Sequence, residues 1–261
     1  MSVPELKKED SHPEQRSIIL FDSTTRFSSE EFVNRIFCMM AKLHRDLPIK
    51  KELLIFDLDG TLVNTLKDLA AAVNFALEKP GGNPVTVADV KKYVGDGARK
   101  LVERALRADA PQKLDAAMDL FYSHYGAHLS DHSTLYPGVL EILTHFSKIK
   151  KVVLTNKPQR FTTPLLEQLG LAEYFEFAIG GGAGIPLKPA PDGIYSILEK
   201  TNVSPDMAII VGDSSTDILS GKAAGIHTCA AAYGYRPPAA LSALKPDFLI
   251  NNILELKKII C

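Results

Sequence analysis

Four short segments of the chain carry side chains suited to phosphate and metal chemistry. Asp57 and Asp59 stand two apart in Asp57-Leu58-Asp59-Gly60-Thr61, directly after the apolar run Leu53-Leu54-Ile55-Phe56. Thr155, Asn156 and Lys157 follow Val152-Val153-Leu154, and Lys188 lies in Leu187-Lys188-Pro189-Ala190-Pro191-Asp192. Asp213, Ser214, Ser215, Thr216 and Asp217 follow Ile209-Ile210-Val211-Gly212. Gathered in one crevice, Asp57, Asp59 and Asp213 would repel one another. A hard divalent cation such as Mg²⁺ prefers oxygen ligands and relieves that repulsion. It also lets a carboxylate approach a phosphoryl group. Lys188 adds positive charge for a phosphate or a nucleophile, and Thr155 offers a hydroxyl to a phosphoryl oxygen. Gly60 gives the chain room to turn with backbone N–H groups facing the anion. At a strand end, residues i and i+2 both enter the site while the intervening Leu58 points away. Two carboxylates in different surroundings can divide the labour, one ionised as nucleophile and the other protonated as acid.

The elements that would position these residues alternate between strand and helix. Apolar runs at 53–56, 151–155, 175–180, 208–212, 227–233 and 247–250 predict strands. Helical segments separate them from residue 139 onward, at 139–149, 162–170, 193–202 and 217–225. Strands apolar on both faces and alternating with helices predict a doubly wound parallel sheet covered on both sides, an α/β fold. Ligands in such sheets bind at the carboxyl ends of the strands, where all four segments fall. Residues 65–136 interrupt the alternation with an all-α block: one helix before Pro80, two around Gly95-Asp96-Gly97, and a long one from Lys113 to Leu129. The predicted organisation is thus an N-terminal extension (1–49), a core (50–64 and 137–261) and a helical insert (65–136). In the extension, residues 1–16 read as a polar tail and Ser17–Phe21 as a short strand. Ser28 and Glu31 fit a capping box, and Phe32, Ile36, Phe37 and Met40 give a helix over 29–45 its apolar face. Such a face must be buried, against this chain or against a second copy in a homodimer.

Composition sets the outer bounds. The 261 residues are 46% apolar and 23% charged with a net charge of −1, so a disordered chain and a basic nucleic-acid footprint are both excluded. No apolar run reaches the ~18 residues of a membrane span, and Met1–Gln15 lacks the apolar stretch of a secretory signal. The three cysteines, Cys38, Cys229 and Cys261, are far apart and suggest neither a disulfide framework nor a zinc knuckle. The expectation is a soluble cytoplasmic protein acting on a small molecule, with neither nucleic acid nor membrane as partner.

The motifs DLDGT, TN, the isolated Lys before PAPD, and GDSSTDI, in this order, resemble the haloacid dehalogenase superfamily of phosphotransferases over about residues 52–256. The helical insert resembles that superfamily's cap. YVGDGARKLVERAL (93–106) and HYGAHLSDHSTLYPGV (124–139) resemble the phosphoglycolate phosphatases within it. The resemblance implies that Asp57 is the nucleophile forming an aspartyl-phosphate. Asp59 would be the acid, then the base that activates water, and its main-chain carbonyl would bind Mg²⁺. Asp57 and Asp213 would complete the protein ligands, and Asp217 would orient the metal's waters. Thr155 and Asn156 would hold the phosphoryl, and Lys188 would pair with it and with Asp57. Asn64 stands where relatives usually carry Asp, which bears on the hinge and cap contacts and not on the chemistry. The implied activity is Mg²⁺-dependent hydrolysis of 2-phosphoglycolate. The alternatives are a phosphatase for another small metabolite, a sugar phosphomutase, or a catalytically idle binding protein on the same fold.

Several positions have a plainer reading beside the functional one. Asp217 fits a helix cap as well as a metal site, and Ser214 and Ser215 are most simply N-caps. Gly95-Asp96-Gly97 is either a helix–helix turn or a place where the backbone approaches substrate. Arg99 and Lys100 are candidates to meet a substrate carboxylate. His124, His128 and His132 are spaced to line one helix face, which suits either zinc or plain surface.

Overall fold

The computed structural model describes residues 48–78, 83–106 and 111–261. The predicted tail, strand and amphipathic helix of residues 1–47 lie outside the described residues. Six parallel strands form the sheet: β1 (Leu53–Phe56), β4 (Lys150–Pro158), β5 (Phe177–Gly181), β6 (Ala208–Gly212), β7 (His227–Ala231) and β8 (Phe248–Ile250). Their order is β5-β4-β1-β6-β7-β8. The remaining two strands, β2 (Val63–Asn64) and β3 (Thr134–Leu135), pair antiparallel into a separate ribbon.

Alternation along β1 shows why this sequence is a central strand. Leu54 and Phe56 join one apolar cluster, while Leu53 and Ile55 join another. All four are fully enclosed, a contribution on the order of 1.5–3 kcal/mol per side chain. The first cluster takes in Ile142 and Leu143 of the helix Val139–His145 and Leu165 of the helix Gln159–Gln168. The second takes in Ile194 and Ile197 of Asp192–Thr201 and Ala224 of Ser215–Ala224. Helices therefore cover both faces, as a sheet of this composition requires.

Between β2 and β3 the chain forms four helices among the described residues: α1 (Leu66–Glu78), α2 (Val87–Tyr93), α3 (Ala98–Leu106) and α4 (Leu114–Ala127). Thr86 starts α2 with a reciprocal capping box to Asp89. Leu69, Val73 and Leu77 of α1 and Met118, Phe121 and Tyr125 of α4 share the first core cluster, so the insert's apolar faces are continuous with that side of the sheet.

Three boundaries differ from the sequence reading. The segment to residue 134 is not wholly helical, because Thr134 and Leu135 pair back onto Asn64 and Val63. A two-residue strand is too short to carry a periodicity signal. β4 runs on to Pro158, through Thr155-Asn156-Lys157, and its register against β5 shifts between Leu154 and Pro158. The core begins before residue 50, since Ile49 bridges to Ile260 and Lys51 is buried. No helix among the described residues is long and apolar enough to cross a membrane.

Candidate active site

β1 lies between β4 and β6, where the strand order reverses, and Phe56 is level with Val211 of β6. The residues after these two strands therefore emerge side by side at the crevice where such sheets bind ligands. Asp57 follows β1 and Asp213 follows β6. Leu58 turns into the apolar core, as the i, i+2 spacing predicts. Asp57 is 8% exposed, Asp213 2% and Asp217 1%. One carboxylate oxygen from each of the three comes within 4.8 Å of the others.

Three buried carboxylates this close are electrostatically unfavourable without a cation. Burial pushes the Asp57 carboxyl up to about 6, against the pull of Lys188 and with Asp217 adding to the rise. Burial, followed by Asp57 and Asp217, holds the Asp213 carboxyl well above its ordinary range. Lys188 answers part of this charge: its Nζ lies 3.0 Å from Asp57 Oδ1 and 2.6 Å from Asp217 Oδ1, and it donates to Leu154 O at 2.6 Å. One ammonium against three carboxylates leaves an excess of negative charge. An all-oxygen donor set with excess charge suits a hard divalent cation.

Asp217 takes the cap role that its sequence allows and stands beside the other two carboxylates. Its Oδ2 accepts from Ser214 N at 3.0 Å and from Ser214 Oγ at 2.5 Å, completing the capping box of the helix Ser215–Ala224. Its Oδ1 meanwhile holds Lys188. Asp213 is fixed by Tyr235 N, which donates to Oδ2 at 2.6 Å.

Two expected phosphate contacts take other roles. The N–H of Gly60 donates to Val63 O at 2.8 Å, so it is spent within the turn and does not face an anion. What the position requires is the missing side chain, because a Cβ there would stand 2.4 Å from Asp213 Oδ2 and φ is +88°. The Asn156 amide is likewise occupied. Its Oδ1 accepts from Lys188 N at 2.9 Å, and its Nδ2 donates to Lys188 O at 2.9 Å and Gly95 O at 3.0 Å. The Asn156 side chain therefore holds the Lys188 loop and the Gly95 turn in place, with both of its Nδ2 hydrogens used. Thr155 lines the cavity, and its Oγ1 accepts from Lys157 N at 3.3 Å, leaving the hydroxyl hydrogen to donate.

The cavity over these residues has a volume of about 40 Å³, room for about three waters. Leu69, Leu101 and Phe121 of the insert form its apolar roof. Gly95 and Gly97 line it at φ +122° and +90°, and a Cβ on Gly97 would meet Leu187 Cδ1 at 3.2 Å. Asp96, Arg99 and Lys100 turn elsewhere. Asp96 pairs with Arg104 at 2.5 Å, Arg99 with Asp115 at 2.9 Å, and Lys100 with Glu103 at 2.7 Å, all on exposed surface. Ala98 and Leu101, i and i+3 on α3, face the cavity, while Arg99 lies off that face and borders an adjoining opening.

The structure brings in three residues that sequence reasoning missed. Lys157 Nζ lies 3.1 Å from both Asp59 carboxylate oxygens and donates to the Tyr125 hydroxyl at 2.6 Å. Strand alternation carried the signal, since Lys157 is two residues beyond Thr155 and shares its side. Arg236 lines the cavity and donates to Lys91 O at 2.9 Å, to Lys92 O at 3.2 Å and to Val94 O. Nothing in the sequence pairs residue 236 with the end of α2.

The histidines do not form a metal site. α4 ends at Ala127, so His132 is off the helix, and its Nδ1 lies 3.5 Å from Asp68. Asp57, Asp213 and Asp217 are the one group among the described residues arranged to hold a metal. Asn64, exposed, accepts from Leu66 N at 3.4 Å and so assists the start of α1 without a charge.

Residues 54–231 match the family model described as haloacid dehalogenase-like hydrolase. The chain belongs to this family. It is similar to a phosphoglycolate phosphatase of Pseudomonas fluorescens, 38% identical over 213 residues covering 78% of each chain. It is similar also to a phosphoglycolate phosphatase of Vibrio parahaemolyticus, 37% identical over 80% of this hydrolase and 96% of the relative. Among solved structures, a predicted phosphoglycolate phosphatase from Haemophilus somnus superposes with a TM-score of 0.75 at 30% identity, covering 80% of this hydrolase and 98% of that chain.

Proposed function

We propose that this hydrolase cleaves a small phosphate monoester, 2-phosphoglycolate, to glycolate and phosphate through an aspartyl-phosphate on Asp57. The observation that carries the reading is Asp57 itself: a buried carboxylate at the switch point of the sheet, 3.0 Å from Lys188, with Asp59 beside it and Asp213 within reach. The names of the relatives support the substrate.

Asp57 and Asp213, with the Asp59 main-chain carbonyl, would hold Mg²⁺. Bound there, the ion would neutralise the carboxylates and draw charge from the phosphoryl oxygens. A carboxylate oxygen of Asp57 attacks phosphorus while the bond from phosphorus to the glycolate oxygen breaks. Asp59 gives its proton to that leaving oxygen. It then takes a proton from a water whose oxygen attacks the phosphoryl, breaking the bond to Asp57 and releasing phosphate. Lys188 holds Asp57 in line, the Thr155 hydroxyl donates to a phosphoryl oxygen, and Asp217 fixes Lys188. Residues 65–136 act as a cap that excludes bulk water and hinges at Asn64-Thr65 and Tyr136-Pro137-Gly138.

A screen of phosphorylated metabolites with Mg²⁺ tests the substrate, with 2-phosphoglycolate expected to rank first. Parity with sugar phosphates would remove the narrow assignment and leave the phosphatase. For the expected homodimer, the test is the solution mass of the chain with and without residues 1–48, which should fall from that of a dimer to that of a monomer on truncation.

A further inference from the structure

Lys157 is a buried cation that the reaction above leaves without a task. Its side chain is 2% exposed, and its three ammonium hydrogens point at the two Asp59 oxygens and the Tyr125 hydroxyl. A buried ammonium is costly even when paired, and Asp59 already has a neutral partner in Thr65 Oγ1 at 2.8 Å. The other cations at the cavity are committed. Lys188 holds Asp57 and Asp217, and Arg236 holds the carbonyls at the end of α2.

The chemistry of the substrate locates a use for Lys157. The leaving oxygen must come within hydrogen-bond reach of the Asp59 carboxyl that protonates it. In 2-phosphoglycolate a single methylene separates that oxygen from the carboxylate. When Asp59 carries the proton it gives to the leaving oxygen, Lys157, 3.1 Å away, loses its counter-charge and can turn an N–H to that carboxylate. Tyr125 accepts the bond from Lys157, so its own phenol hydrogen is left to donate to the same group. Leu69, Leu101, Phe121 and Phe161 line the cavity with apolar surface alone.

We propose that Lys157 of β4 and Tyr125 of α4 form the subsite that reads an anionic substituent one carbon from the ester oxygen. The inference rests on the carboxylate-bearing substrate assigned above. One half of the subsite comes from the sheet and the other from the insert, so it is complete only when the two are together.

The test compares kcat/KM on 2-phosphoglycolate and on 2-hydroxyethyl phosphate, which carries a neutral hydroxymethyl group in place of the carboxylate, for the full chain with Mg²⁺. The wild type should prefer 2-phosphoglycolate. Lys157→Gln should cut that preference ratio by at least about 30-fold, chiefly through KM, whatever loss the two substrates share, and Lys157→Arg should restore part of it. An unchanged ratio overturns the proposal and makes Lys157 a positioning residue for Asp59. Should Lys157→Gln be inactive on both, Tyr125→Phe keeps the Lys157–Asp59 pair and decides. A fall of about tenfold in the ratio supports the subsite, and no fall overturns it. A wild type without the preference fails the substrate reading itself, and the subsite with it.

Discussion

The strand-end face of the sheet and the helical roof above it are built on different physical terms. At the strand ends, Asp57, Asp213, Asp217 and Lys188 are each under 9% exposed, and every one is held by named partners. On the roof, Asp96, Arg99 and Lys100 sit in surface ion pairs, which are individually worth little. The roof's contribution to the cavity is mostly apolar, with glycine backbone at 95 and 97. The difference teaches where selection of a substrate can come from. In the proposed reaction the charges on the strand ends act on the phosphoryl group, while the roof shapes the space beside it and supplies few polar atoms.

The largest expected effect lies on the strand ends. Asp57→Asn keeps the shape and removes the anionic nucleophile, so turnover should fall about 10⁴-fold or more with the fold intact by circular dichroism. Retained activity in that variant would break the comparison at its centre. Asp213→Asn should cost about 10²–10³-fold and raise the Mg²⁺ concentration needed for half activity, read from a metal titration.

The carboxylate cluster also gives stability a pH dependence. The folded-state carboxyls of Asp57 and Asp213 sit above their unfolded values. Between the two values the folded form binds more protons, so stability falls as pH rises. For Asp57 that window runs from about 4 to about 6. In chelator, the midpoint of thermal unfolding should drop as pH climbs through this window, at up to about 1.4 kcal/mol per pH unit for each group. Saturating Mg²⁺ should flatten the slope. An equal slope with and without metal would mean that the cation does not bind this cluster.

Smaller effects sharpen the contrast from the roof side. Arg236→Ala removes the hydrogen bonds that tie the core to the carbonyls of α2. Hydrogen exchange should speed up in 87–97, with about a tenfold loss in kcat/KM. Arg99→Ala, losing only an exposed pair with Asp115, should change kcat/KM by less than about twofold. A large loss there would place the roof's surface charges in catalysis after all.

The same division explains what could be read in the sequence. A parallel sheet puts the residues after each apolar run on one edge, so Asp57, Thr155 and Asp213 were legible from order and spacing, and Lys188 from the order of the motifs it shares with the family. So was the sheet itself, and so were the helices on either side of Gly95-Asp96-Gly97. Lys157 was half legible, through alternation along β4, but its partner Tyr125 is 32 residues away on a different element. Arg236 was not legible, because its contacts with Lys91 and Lys92 span 145 and 144 residues and depend on how the insert lies against the core. Hydrogen-bond occupancy was equally hidden. Gly60 and Asn156 have types that suit a phosphate, and only the structure shows the Gly60 N–H and the Asn156 side-chain amide already spent.

The central claim is a covalent phosphoryl on Asp57, and trapping it is the most direct measurement. The full chain with Mg²⁺ is mixed with ³²P-labelled 2-phosphoglycolate, quenched in acid within a single turnover, and the label is located by peptide mapping. Label is expected on the peptide containing Asp57, absent from Asp57→Asn and enriched in Asp59→Asn, where loss of the base slows hydrolysis. Label that persists in Asp57→Asn, or turnover with no labelled enzyme at any time, would contradict that claim.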